Sequence, residues 1–172
     1  DQRHVIFSQR KDVMNSNEIF DYSDSFLNEI IDNLIKLKSL NNSNLKNIDF
    51  NNKVKQILGK NFEESEFKKL ILLENNLFKE KISNKFHEAR KKRIEILTEE
   101  QSKEIEKRIF LQSIDMNWKS HIQYLEQLRQ VIGLRSYGQR DPLVEYKKEA
   151  FSLFENLLEK LKIDYITILM NL

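Results

Sequence analysis

"LQSIDMNWKSHIQYLEQLRQVIGLRSYGQRDPLVEYKKEAFSLFENLL", residues 111–158, decides the fold. In its first half Ile114, Trp118, Ile122, Leu125, Leu128 and, just beyond, Ile132 recur at spacings of three and four. That is the period of one helical face. In its second half Leu143, Tyr146, Ala150, Leu153 and Leu157 do the same, and Leu161, Tyr165, Ile168 and Leu172 extend the stripe. Between the stripes sits "GLRSYGQRDP", 133–142, with two of the three glycines and the only proline. Gly133 is placed to end the first helix. Asp141 is placed to cap the second, with Pro142 at the first helical position, where a missing N–H costs nothing. Two helices, about 99–132 and from 142 onward, therefore form an antiparallel hairpin. At 1.5 Å per residue each arm reaches ~40 Å, so the tip is expected to project from the body.

Composition agrees with an all-α fold. Three Gly and one Pro in 172 residues cannot supply the turns of a strand-rich protein. Hydrophobic residues at 40% and charged residues at 33% suit amphipathic helices. The net charge of +2 offers no large basic field for nucleic acid or acidic membranes. The absence of cysteine removes disulfides and thiolate chemistry. No apolar run is long enough to span a bilayer. The chain starts without Met and already in helical pattern, which reads as a piece of a longer protein.

Outward from the hairpin, residues 1–15 read as a helix carrying Val5, Ile6, Phe7, Val13 and Met14. Ser23 or Asp24 is positioned to cap a second helix, whose buried face is Phe26, Leu27, Ile30, Ile31, Leu34, Ile35 and Leu37. Residues 39–52 read as a loop, and Lys53–Leu58 as a short helix ending at Gly59. A long helix is expected over 64–97. Thr98 with Glu99 and Glu100 signals a fresh N-terminus, although one uninterrupted helix is the other reading.

Chemistry-bearing patterns are sparse. His4, His87 and His121 are far apart, with no metal-ligand spacing, and His121 reads as a polar group in helix packing. "LGKN", 58–61, lacks the glycine and hydroxyl of a phosphate loop. The chain alone reads as no enzyme. "KFHEARKKR", 85–93, reads as a solvated helix face, with contact to phosphate or acidic lipid as the alternative. The tip stands apart: Arg135, Tyr137, Gln139 and Arg140 exceed what a turn requires. Tyr and Arg are frequent binding anchors, yet Tyr137 folded back on the hairpin accounts for it equally well.

Three elements occur here in order: Leu-Gln-x-x-Asp-x-x-Trp-x-x-His at 111–121, Leu-Arg-x-Tyr-Gly-Gln-Arg-Asp-Pro at 134–142 and Glu-Tyr-Lys-x-Glu-Ala-Phe at 145–151. Together they closely resemble the C-terminal helical region of the SecA family, the motor ATPases of bacterial Sec preprotein translocation. "DQRHVIFSQR", 1–10, resembles the end of that family's long scaffold helix. The resemblance is strong over about 1–14 and 105–165 and positional between. Ser136 stands where relatives usually carry Gly, and Leu125-Glu126 where they often carry Met-Asp.

The resemblance implies a division into 1–17, the end of the scaffold helix, 18–103, a smaller helical wing, and 104–172, scaffold with a two-helix finger. Trp118, Ile122, Leu125, Leu128, Tyr146, Phe151 and Phe154 are expected to pack that hairpin. Arg135, Tyr137, Gln139 and Arg140 would be the fingertip that meets unfolded preprotein and the SecY channel (SecYEG), and the wing would help clamp the preprotein. The motor domains of the same chain, with their ATP and Mg, would lie outside this sequence, so no cofactor is expected within it. The implied location is the bacterial cytoplasm at the inner face of the plasma membrane, where an anionic membrane surface is a further partner. No nucleic acid is expected. The competing readings are a nucleic-acid-binding hairpin arm, motivated by the arginines, and a purely structural bundle, motivated by the stripes.

Overall fold

The computed structural model describes residues 1–15, 17–40, 47–58, 63–134 and 141–172. Among them are seven α-helices and no strand: α1 Gln2–Asn15, α2 Ile19–Leu40, α3 Asn47–Leu58, α4 Glu64–Ile71, α5 Asn75–Leu97, α6 Glu99–Leu134 and α7 Pro142–Met170. The fold is all-α, as the composition required. One continuous apolar core joins every helix, with α6 and α7 as its axis.

The hairpin is built from two unequal halves. Its inner half is buried: Phe110 and Ile114 from α6 meet Leu157, Leu161, Tyr165 and Ile166 from α7. Phe26 of α2 stacks on Phe110 at 5.5 Å, and Tyr165 meets both rings edge-on at 6.1 and 4.9 Å. Side chains of this size contribute ~1.5–3 kcal/mol each on full burial. The outer half carries progressively less cover, and among the described residues near its end only Ile132 is buried.

Two boundaries have a local cause. The Asp141 carboxylate accepts the Leu143 N–H at 3.1 Å, with Pro142 at the first helical position, as the sequence requires. Gly133 does not end α6; the helix runs on to Leu134, and Gly133 has no positive φ. Thr98 separates α5 from α6, and its hydroxyl accepts the Gln101 N–H at 3.4 Å.

Four further expectations are corrected. α2 starts at Ile19, with Glu18 O accepting the N–H groups of Asp21 and Tyr22, so Ser23 and Asp24 lie within the helix instead of capping it. α3 begins at Asn47, inside the expected loop; Gly59 lies outside the described residues. The helix expected over 64–97 is broken at Leu72–Glu74. Leu70 and Phe78, both buried, would sit about 80° apart on a continuous helix. The break lets both reach the core, and Lys38 Nζ donates to the freed Leu73 carbonyl at 2.8 Å. Finally, Leu143 and Ile168 of the expected α7 stripe are exposed, while Ile166, Leu169 and Met170 are buried.

Candidate functional site

The candidate site has two ends, a tip and a root, joined by α6 and α7. Arg135, Tyr137, Gln139 and Arg140, the expected fingertip, lie outside the described residues. The helix ends that flank them are described. Val131, Leu134, Leu143 and Val144 are all exposed there, at 42% to 76%. Four apolar side chains with substantial exposed surface thus bracket the tip.

Below the tip, Leu125 and Leu128 of α6 and Tyr146 of α7 are half-buried. Trp118 packs against the core with its ring 5.5 Å from that of His121. Phe154 is buried and meets the His121 ring at 5.8 Å. Two expected packing residues face outward: Ile122 is 44% exposed and Phe151 61%. The buried register on α6 runs through Phe110, Ser113, Ile114, Asn117 and His121, which turns Ile122 away. On α7 it runs through Ala150, Phe154 and Leu157, which excludes Phe151.

Two polar members of this register carry bonds to other helices, Asn117 to α7 and His121 to α1. Asn117 donates to Ser113 O at 2.8 Å and to Asp164 at 3.1 Å, and accepts from Lys160 Nζ at 3.2 Å. His121 Nε2 lies 2.8 Å from Gln2 Oε1 of α1, and Gln2 donates on to Ala150 O at 3.2 Å. Burial holds the His121 pKa below its ordinary value by disfavouring the charged ring. Arg10 of α1 forks onto Asp115 of α6, with Nε–Oδ1 at 3.1 Å and Nη2–Oδ2 at 3.3 Å. Gln2 and Arg10 therefore tie α1 to the hairpin at two levels, and Gln2 ties it to both arms.

At the root, a polar cluster lies within the apolar core. Glu106 of α6 is wholly buried and accepts three bonds. Arg90 Nε donates to Oε2 and Nη2 to Oε1, both at 3.0 Å, and Ser23 Oγ stands 2.9 Å from Oε1. The single Ser23 O–H is shared between Oε1 and Ile19 O, also at 2.9 Å, and the Tyr165 hydroxyl donates to Ser23 Oγ at 2.6 Å. Arg90 Nη1 reaches Asp24 at 2.8 Å, and Asp24 also bonds the exposed His87 at 3.2 Å. The guanidinium lies over Phe20 at 4.3 Å and Phe86 at 5.0 Å. Burial alone would lower the Arg90 pKa, but bonds and charges from Glu106 and Asp24 outweigh it and raise it. Burial, reinforced by the Glu106 charge, pushes the Tyr165 phenol well above its ordinary range. Arg93 lies deeper than a surface residue; burial lowers its pKa, and Nη1 donates to Leu169 O at 3.3 Å.

The run 85–93 is thus a solvated face only in part: Lys91 and Lys92 are exposed, whereas Arg90 is 7% exposed. A sequence signal for Arg90 exists. Phe78, Ile82, Phe86 and Arg90 follow one another every four residues, so the arginine continues a buried apolar stripe. Glu106 likewise lies in phase with Phe110. No group of three or more metal-ligating His, Cys, Asp or Glu occurs among the described residues, and no described helix is long and apolar enough to cross a membrane.

Comparison with known proteins places this architecture. The whole chain, residues 1–172, matches the family model described as SecA Wing and Scaffold domain. A protein translocase subunit SecA of Pelagibacter ubique (strain HTCC1062) is 68% identical over the entire chain, which covers 20% of that protein. A second, from Caulobacter vibrioides, is 39% identical over 94% of the chain and 18% of its own length. A third, from Hyphomonas neptunium, is 35% identical over the same shares. The chain thus spans about a fifth of the length of the curated relatives it matches. With a match from its first residue to its last and the hairpin motifs in place, the chain belongs to the SecA wing and scaffold domain family.

Proposed function

We propose that the chain is the wing and scaffold part of the motor that drives Sec-dependent protein translocation. In this reading 1–17 ends the scaffold helix, 18–103 is the wing and 104–172 is scaffold with the two-helix finger. Arg135, Tyr137, Gln139 and Arg140 form the fingertip, which touches the unfolded preprotein and the cytoplasmic mouth of the SecY channel. The wing contributes to the clamp around the preprotein. ATP and Mg are handled by motor domains outside this sequence, so the chain by itself hydrolyses nothing. The assembly works at the inner face of the plasma membrane.

The observation that supports this best is the contrast along the hairpin. Its root is locked into the core, while Val131, Leu134, Leu143 and Val144 are exposed at the outer end. A stiff rod with an apolar and aromatic end suits a contact that must move yet accept many sequences. Apolar area and guanidinium donors interact with any passing chain without requiring a particular side chain. α6 alone, with 36 residues, is ~54 Å long, enough to carry a small rotation at its root into a displacement of several ångströms at its tip. α1, bound through Gln2 and Arg10, is the element through which such a rotation would enter.

The deciding experiment is Tyr137→Ala in the intact protein, assayed by transport of a preprotein into membrane vesicles. Loss of an aromatic anchor predicts about tenfold slower transport. In this reading the contact is made outside the packed hairpin, so the melting temperature should stay unchanged, within the ~0.5 kcal/mol of a substitution that touches no packing. Transport at the parent rate would refute the gripping role.

A further inference from the structure

Arg90 and Glu106 stand eight residues from Thr98, one on each side. On one continuous helix their backbones would lie about 24 Å apart. Their side chains instead meet twice at 3.0 Å, so α5 and α6 fold back on each other at Thr98. The corner consists of that single residue. Thr98 has φ 101° and ψ 160°, a conformation natural to glycine and strained for a β-branched residue. No Gly or Pro occurs from 64 to 132 to dictate a bend there. The Thr98 cap starts a new helix but fixes no angle between the two, so tertiary contacts must hold the corner bent.

Apolar contacts hold it loosely in angle, because dispersion and burial are non-directional. The Arg90–Glu106 fork is directional: two parallel N–H···O bonds fix both separation and orientation. It is also inaccessible to competing water, with Glu106 at 0% and Arg90 at 7% exposure. Ser23 from α2 completes the carboxylate, Tyr165 from α7 adjoins Ser23, and Asp24 takes the remaining guanidinium edge. Four helices thus converge on one ion pair.

We infer that the Arg90–Glu106 fork, with Ser23 and Tyr165, is a lock that holds α5 and α6 in their folded-back arrangement and whose release gives access to a more extended one. Its contribution is orientation. An apolar pair of similar volume would pack as well and leave the corner angle free.

The chain lacks cysteine, so Lys81→Cys and Lys119→Cys, both exposed positions, accept spin labels cleanly on α5 and α6. On a continuous helix the labelled positions would lie about 57 Å apart; the folded-back corner keeps them much closer. The parent chain is expected to give one short, narrow distance distribution. Arg90→Met with Glu106→Leu removes both charges together. That variant is expected to fold, to melt no lower than the parent, and to give a broad distribution reaching longer distances. A folded double variant with the parent's narrow distribution overturns the inference. Should the double variant not fold, Arg90→Lys decides: it keeps the charge and loses the fork. Broadening in Arg90→Lys supports the lock. A parent-like distribution, or failure of this variant to fold as well, overturns it by making the pair a source of stability alone.

Discussion

Arg90 and His121 illustrate how far a residue's role departs from the company it keeps in sequence. Arg90 sits in a basic run whose next two lysines are exposed, yet its own guanidinium lies between two phenyl rings with both edges bonded to carboxylates. His121 lies beside Ile122, and it is the histidine that faces inward. The packed surface of α6 carries Asn117 beside His121, the polar packing group that the sequence suggests, and their bonds to Asp164, Lys160 and Gln2 fasten the hairpin and α1. Burial lowers the folded-state pKa of His121, while in the unfolded chain it titrates near its ordinary value of about 6.5. As pH falls through that value the unfolded chain takes up a proton that the folded chain refuses, so stability declines on acidification. Melting temperatures at pH 7.5 and 5.5 for the parent and His121→Gln test this. The parent should lose more than the variant, and parallel losses would rule out His121 as a source.

At the scale of elements, the informative features are the breaks. The cap at Asp141–Pro142 is chemical and local, and reads directly from sequence. The break at Thr98 also has a local signal, in Thr followed by two acids, but its sharpness does not: φ 101° is a tertiary imposition. Replacing Thr98 with Gly should relieve that strain, leaving stability equal to the parent or raised by about 1 kcal/mol. Glu95→Gly, three residues earlier on an exposed helical position, should instead cost about 1 kcal/mol. Denaturant melts of the two variants make the comparison; equal destabilisation by both would mean that Thr98 stores no strain. The break at Leu72–Glu74 has no comparable signal. Asn75 and Asn76 follow it directly, but the break also lets Leu70 and Phe78 both be buried.

For the whole molecule, the continuity of the core is the governing fact. Phe26, Phe110 and Tyr165 join α2, α6 and α7 in one aromatic cluster, and the remaining helices pack around it. A core shared by every helix predicts one cooperative transition. The single tryptophan, Trp118 on α6, reports the hairpin, whereas far-UV circular dichroism reports all helices. The two melts should coincide, and Phe110→Ala should lower both together, by about 3–5 kcal/mol. Separate transitions for the two probes would show that the helices before α6 unfold independently of the hairpin.

The amino-acid sequence by itself determined the helical class, the hairpin of α6 and α7, the Asp141 cap and the family. Each of these rests on information local in the chain: a 3.6-residue period, a scarcity of Gly and Pro, a cap, or a motif of fixed spacing. Only the tertiary structure decided that Ser23 binds Glu106 and Asp24 binds Arg90 instead of capping α2, that Ile122 turns out, and that α5 folds back along α6. The reason is physical. A polar side chain near a helix end has a local partner and a remote one, and which prevails depends on whether folding removes water from the remote site. Burial of Glu106 in an apolar core makes its bonds to Arg90 and Ser23 obligatory, and no spacing along the chain records that demand.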